Sequence, residues 1–383
     1  VSTSIDRELP NDEARELMAV VEQVADQTLR PIAAEHESAG TFPRDVFATL
    51  GQVGLLGMPY PAEYGGADLP YVVYLQVIEE LSRAWLAVGL GVSVHTLSAH
   101  ALANFGTADQ QQRWLPEMIG GDSLGAYCLS ESQSGSDAAG LTTNARRTPD
   151  GYELTGTKAW ITHGGEADFY TVMARTSPER NTGISCFLVP GDAPGLTAAT
   201  PENKMGMRAS TTAQVNLDHV QLAADRLIGD EGEGLTIALA ALDSGRLGIA
   251  ACAVGLAQSA LDEAIRYSKT REQFGQPISD FQGIGFMIAD MATAIESARA
   301  LYLSAARRKD DARPYSTQAA MAKLAATDAC MQVAIDTVQI LGGAGFVEDF
   351  PAERYFREAK VLQIVEGTNQ IQRHVIARNL LRG

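Results

Sequence analysis

The spacing of apolar residues changes twice along this chain, and that change limits what it can fold into. From Asp12 to about Trp114, apolar residues recur every three or four positions, as in Leu17, Val20, Val21 and Val24, then Val72, Leu75, Ile78 and Leu81. This is the repeat of helices with a buried face. Around Gly125 the repeat gives out. From Tyr152 to about Ile228, short strand-like runs alternate with turn clusters such as Pro149-Asp150-Gly151 and Asn181-Thr182-Gly183. Ala213, Val215 and Leu217 alternate with Gln214 and Asn216, which predicts a strand with one wet face. After the glycine-rich turn at 229–234 the helical repeat returns, with long segments near 235–269, 282–309 and 316–341. The chain therefore reads as α+β and multidomain, with units at 1–124 (helical), 125–234 (β) and 235–383 (helical bundle).

A length of 383 residues exceeds one ordinary core. With 45% hydrophobic and 20% charged residues, the chain can build packed units that enclose a cofactor. The net charge of −17 argues against a nucleic-acid partner, since phosphate contacts need a surface rich in Lys and Arg. It also opposes long-range attraction of any anionic ligand, so such a site needs locally placed Arg and backbone N–H groups. Cys128, Cys186, Cys252 and Cys330 are far apart, with no C-x-x-C pair and no His at ligand spacing. Neither disulfides nor a metal site is expected, and a reducing compartment fits. The stretch Val1–Asn11 is polar rather than signal-like, and the longest apolar run, Leu247–Ala257, is too short to cross a bilayer. The expectation is a cytoplasmic protein with no membrane segment.

No G-x-G-x-x-G follows a strand, so a nicotinamide-type cofactor domain is disfavoured. Another device appears at 127–137, Tyr-Cys-Leu-Ser-Glu-Ser-Gln-Ser-Gly-Ser-Asp, where small residues can turn backbone N–H groups toward a flat polar ring or a phosphate. By composition alone it is a surface turn. The whole string resembles the first signature of the acyl-CoA dehydrogenase family. Residues 339–346, Gln-Ile-Leu-Gly-Gly-Ala-Gly-Phe, with Asp349, Arg354 and Glu358 at the family's spacing, resemble the second, and Val365-Glu366-Gly367-Thr368-Asn369-Gln370 follows. The likeness covers essentially the whole chain and is greatest to short-chain and short-branched-chain members. It implies an N-terminal helical domain, a middle β-barrel and a C-terminal four-helix bundle, usually assembled as a homotetramer.

The resemblance implies FAD as cofactor and an acyl-CoA as substrate, dehydrogenated between its α and β carbons, with electrons passed to an electron-transfer flavoprotein. Glu366 would take the α proton. It sits between Ile364-Val365 and a glycine just ahead of the last helix, where burial would keep it a base near neutral pH. The plain alternative is a carboxylate that answers a helix dipole. Some relatives carry the base at the position matching Gly245, and glycine cannot act as one. The family's thioester oxygen is held by the backbone N–H of the catalytic Glu and a ribityl hydroxyl, with Gly367 letting the chain bend close.

Flavin contacts carry over to Tyr127, Leu129, Ser130 and Ser136, and to Trp160, Ile161 and Thr162, Trp160 against the ring and Thr162 toward N5. Arg271, Phe274 and Gln282 resemble contacts made across a subunit boundary, together with Gln339, Gly342 and Gly343. Thr368 is expected to cap the last helix beside Gln370, leaving N–H groups for an anion. Asp243, Gly245 and Arg246, with Ser136 and Gly367, match the family's substrate channel. Val365 stands where an aromatic residue often precedes the base, which makes branched acyl groups plausible. Three rival readings share the scaffold: an acyl-CoA oxidase, disfavoured by the modest length; a dehydrogenase acting on acyl-carrier-protein thioesters; and a non-enzymatic DNA- or protein-binding relative, disfavoured by the missing basic patch.

Overall fold

Asn11 opens the first helix by accepting the Ala14 amide at 2.8 Å, the bond by which a short polar side chain satisfies an orphan N–H. The computed structural model describes residues 5–382, so the start of the polar stretch, residues 1–4, lies outside the described residues. Helix α1 (Asp12–Val24) passes through a π-helical turn (Ala25–Leu29) into α2 (Arg30–Ala39), which Gly40 ends at φ +66°. Then come α3 (Arg44–Gln52), α4 (Tyr71–Ala84), α5 (Leu86–Phe105) and α6 (Ala108–Ile119). Thr107 and Gln110 form a reciprocal capping box at the start of α6.

Eight strands follow: β1 (Gly125–Cys128), β2 (Asn144–Thr148), β3 (Gly151–Thr162), β4 (Phe169–Arg175), β5 (Ile184–Pro190), β6 (Leu196–Ala198), β7 (Thr212–Ala223) and β8 (Leu227–Ile228). They pair in the order β6-β7-β3-β2-β4-β5-β8, with β1 parallel to β4. In β7 the expected alternation holds: Ala213, Val215 and Leu217 are buried, Gln214 is exposed and Asn216 half-buried.

The chain ends in α7 (Gly234–Thr270), α8 (Gln282–Asp310), α9 (Ser316–Leu341), α10 (Ala352–Leu362) and α11 (Asn369–Arg382), the first three within a residue of their predicted bounds. The repeat of small residues missed a hairpin between α7 and α8, β9 (Glu272–Gln273) and β10 (Gln276–Pro277). Phe274 and Gly275 at its tip both have positive φ, 55° and 81°, the geometry of a two-residue turn that matches strand twist.

One core joins α4, α5, α7, α8, α9 and α10 through residues such as Leu81, Leu90, Leu247, Ile295, Cys330 and Leu362. A second, with Leu115, Phe169 and Ile237, seats the sheet on α5, α6 and the start of α7. All four cysteines are free and buried. The membrane expectation needs correcting in its premise. Helices α5 and α7 are each long and apolar enough to span a bilayer, but 94% and 78% of their most apolar windows are buried inside the protein. Leu247–Ala257 is thus part of a longer apolar helix whose neighbours are other helices.

Candidate active site

The turn between α10 and α11 brings the chain back against the middle of α7. Val365 is still tied to the preceding helix, its amide donating to Val361 at 3.0 Å. Glu366 then adopts φ +51° and Gly367 φ +89°. A left-handed Glu is uncommon, and such backbone persists only where surroundings enforce it. Thr368 caps α11 by accepting the Ile371 amide at 3.2 Å, as the sequence predicts. Gln372, one turn on, donates back to the Glu366 and Gly367 carbonyls at 3.2 and 2.8 Å.

Glu366 is half-buried as a residue, yet both carboxylate oxygens are inaccessible and neither has a hydrogen-bond partner. Neither oxygen accepts an N–H of α11, so this carboxylate does not cap that helix. Burial pushes its pKa up to about 7, against the opposing pull of Arg246 and then Lys323. The carboxylate lies against Gly245. A Cβ there would stand 1.8 Å from Oε2 and 2.8 Å from Cδ, so glycine is required to leave room for the acid.

Arg246, next on α7, is buried and paired with Asp243, which also accepts from Ser316 at 3.0 Å. Its Nε has no partner. Arg246 is thus a buried cation whose field reaches Glu366. Beyond Gly245 a small chamber of about 10 Å³ is closed by Tyr71, Tyr74, Ser93, Thr96, His100 and Ser244. It has room for about one water.

Tyr127 on β1 forms another wall, its hydroxyl donating to the Ala238 carbonyl at 3.4 Å, and the charge of Glu366 helps to push its pKa up after burial has done most. The segment after Tyr127 is fastened to β3. Ala159 N–H donates to the Ser130 carbonyl at 2.9 Å, and the fully buried Lys158 ammonium bonds the Leu129 carbonyl and Glu131 at 3.2 and 2.8 Å. Glu131 also accepts the Thr142 and Thr143 amides at 2.7 and 2.9 Å, and this set holds its pKa down near 2 despite burial. The loop is therefore rigid. In β3 the register slips between Lys158 and Ile161, and Trp160 at φ +57° turns its indole out to 56% exposure.

Ser130, whose carbonyl accepts the Ala159 amide, and Thr162 are half-buried, and Ser136 is exposed. An exposed aromatic face flanked by hydroxyls and a fixed loop backbone fits a flat heteroaromatic group. Ile161 and Leu129 are buried in the β and inter-domain cores, so only their backbones are available to a ligand. Two groups from the sequence reading stand elsewhere. Arg271, Phe274 (96% exposed) and Gln282 lie on and beside the β9–β10 hairpin, and Gln339, Gly342 and Gly343 lie exposed at the end of α9, where Gly342 has φ +60°. Gln370 is exposed on the first turn of α11. The exposed Arg271 guanidinium makes no ion pair among the described residues.

Sequence reasoning missed Lys323 on α9, which donates to the Gly367 carbonyl at 3.0 Å and Asn369 Oδ1 at 2.8 Å. A signal existed: Lys323 is the lone charge on the stripe Ala319, Lys323, Ala326, Cys330, a helical face of small apolar residues. Tyr74, Ser93 and Thr96 were missed too, because nothing local in α4 or α5 shows which face meets α7.

A buried, unpartnered carboxylate on the helical bundle and an exposed indole on the β domain are groups that a flavin-dependent dehydrogenase needs. The comparisons agree: the acyl-CoA dehydrogenase N-terminal, middle and C-terminal domain profiles match residues 11–122, 126–220 and 232–381. The mouse short-chain specific acyl-CoA dehydrogenase is 45% identical over 94% of this chain and 87% of its own. Butyryl-CoA dehydrogenase from Megasphaera elsdenii superposes with a TM-score of 0.96 at 37% identity, covering 99% of this chain and 100% of that one. A chain from the structure reported for the electron transferring flavoprotein of Acidaminococcus fermentans gives 0.96 at 41% identity, covering 99% and 100%. This chain belongs to the acyl-CoA dehydrogenase family. It is an FAD-dependent oxidoreductase that dehydrogenates acyl-CoA thioesters.

Proposed function

We propose that Glu366 is the base that removes the α proton of a short acyl-CoA. The observation that carries this is the pair of carboxylate oxygens, buried, without hydrogen bonds, and seated where the missing side chain of Gly245 leaves room. A base held near pH 7 by burial is matched to working pH. The Glu366 amide has no acceptor among the described residues, so it is free to donate to a thioester oxygen as negative charge develops there. FAD, when bound, supplies the acceptor for the hydride leaving the β carbon. Tyr127, Leu129, Ser130 and Ser136, with Trp160, Ile161 and Thr162, would hold its ring. Asp243, Gly245, Arg246, Gly367 and Ser136 would line the thioester channel, with Arg246 as the local cation that an acidic protein needs for an anionic ligand.

The similarity to short-chain and butyryl-CoA enzymes supports a short chain, on the order of four carbons. Val365 packs against the helical core, and a branched chain is the second reading. Electron-transfer flavoprotein is the proposed acceptor, in line with the Acidaminococcus fermentans likeness. Buried free thiols suit a reducing compartment, and we place the enzyme in the cytoplasm.

The exposed hairpin and α9 terminus support a homotetramer in which Arg271, Phe274, Gln282, Gln339, Gly342 and Gly343 of one subunit, with Thr368 and Gln370 at the α11 N-terminus, complete an FAD site with another. Arg271→Ala is then expected to lose FAD on gel filtration while keeping its helix content, with at least a tenfold weaker cofactor affinity on the order of one charge-assisted contact. Unchanged FAD retention would remove Arg271 from the site. The test of the whole reading is anaerobic flavin bleaching by straight and branched acyl-CoA thioesters, followed by reoxidation with oxygen or with an electron-transfer flavoprotein. Bleaching strongest at about four carbons is expected, with fast reoxidation only by the flavoprotein. Rapid reoxidation by oxygen would make the enzyme an oxidase.

A further inference from the structure

Helix α9 turns an alanine-rich stripe into the core, and Lys323 stands in the middle of it with no exposed surface. An ammonium taken out of water must recover its hydrogen bonds from the protein. Lys323 recovers two, from the Gly367 carbonyl at 3.0 Å and Asn369 Oδ1 at 2.8 Å. Neither acceptor is charged. Asn369 is itself fixed, donating to Thr327 Oγ1 at 2.9 Å and to Asp328 at 2.7 Å, while Gln372 shares the Gly367 carbonyl. Both anchors lie within three residues of Glu366, on a turn that runs through two successive left-handed residues. An apolar side chain at 323 would fill the stripe equally well but would leave Gln372 as the one side chain on that carbonyl and remove the bond to Asn369.

We propose that Lys323 is a positioning residue for Glu366, its ammonium clamping the Gly367 carbonyl and the Asn369 side chain so that the strained turn holds the carboxylate against Gly245. This rests on Glu366 being the base. Lys323 also supplies positive charge behind that carboxylate. The groups facing Glu366 are Arg246 and Cys252 from α7, Lys323 from α9, Tyr74 from α4 and Tyr127 from β1. Of the two cations, Arg246 is already shared with Asp243, whereas Lys323 spends its charge on neutral acceptors. Its own pKa is lowered to about 8 by burial, against the pull of Glu366. Removing this cation therefore makes Glu366 hold its proton to higher pH.

The test uses the holoenzyme carrying Lys323→Met, similar in length and uncharged, with two readouts. Amide hydrogen exchange across 364–370 is expected to quicken by about tenfold or more while the β domain and the rest of α9 are unchanged. The rising limb of single-turnover flavin reduction against pH is expected to move up by about one unit, with kcat falling more than KM rises. Asn369→Ala, which removes one clamp point but keeps the charge, should quicken exchange and shift the limb less. A folded, FAD-loaded Lys323→Met protein with wild-type exchange and a wild-type limb overturns the proposal. Should that variant not fold, unaltered exchange in Asn369→Ala overturns it. Exchange does not depend on turnover, so a wild-type enzyme that no acyl-CoA can reduce would refute the base and leave the clamp measurable.

Discussion

Glu366→Gln is expected to purify yellow and stay yellow when excess acyl-CoA is added without oxygen. The amide is nearly the same size as the acid, so the packing against Gly245 survives and the cofactor wall at 127–136 and 158–162 is untouched. What is lost is the ability to accept a proton from carbon. A positioned general base contributes about 10²–10⁴-fold, and the reduction rate should fall by at least the upper end of that range. The pH behaviour of the wild type belongs to the same experiment. Burial raises the acid's pKa to about 7, so the reactive ionised form is scarce below that pH and predominates above it. Flavin reduction should accordingly rise through about pH 7 and flatten above it. A Gln variant that bleaches at the wild-type rate would show that another group takes the proton.

Gly245→Ala is expected to cripple flavin reduction while leaving the fold intact. Elsewhere on a helix, glycine to alanine favours the helix by up to about 1 kcal/mol. Here the new methyl would stand 1.8 Å from Oε2, inside the carboxylate. The acid must swing away or the turn must shift, and displacement by about 1 Å at a reacting centre costs on the order of 100-fold. The variant should therefore fold with an unchanged or raised Tm and retain FAD, yet lose flavin reduction by about that factor. Full activity in Gly245→Ala would mean that the carboxylate works from another position.

The fold was legible because its signals are local. The three- and four-residue repeats placed α7, α8 and α9 to within a residue, and the alternation at 213–217 marked β7, since each depends only on which face of a regular element is buried. The hairpin at 272–277 escaped because its signal is a two-residue turn with Phe in a left-handed conformation, which composition does not favour. The apolar run at 247–257 was underestimated because the polar residues that bound it, Arg246 and Gln258, are themselves buried in α7. At the site, the string around Glu366 and the segment after Tyr127 stood out through their resemblance to the family's signatures, since by residue type alone one is a helix-end carboxylate and the other a surface turn.

The sequence by itself determined the order helical, β, helical, the helix lengths, and a carboxylate next to glycine ahead of a capped final helix. Only the tertiary structure decided that this carboxylate has no hydrogen bond, that Gly245 from more than a hundred residues away makes space for it, and that Lys323 holds the turn from behind. Those facts are distances between segments remote in the chain. Helical and strand periodicities record which face is buried but not what it is buried against, and the pKa of Glu366 is set by that second quantity.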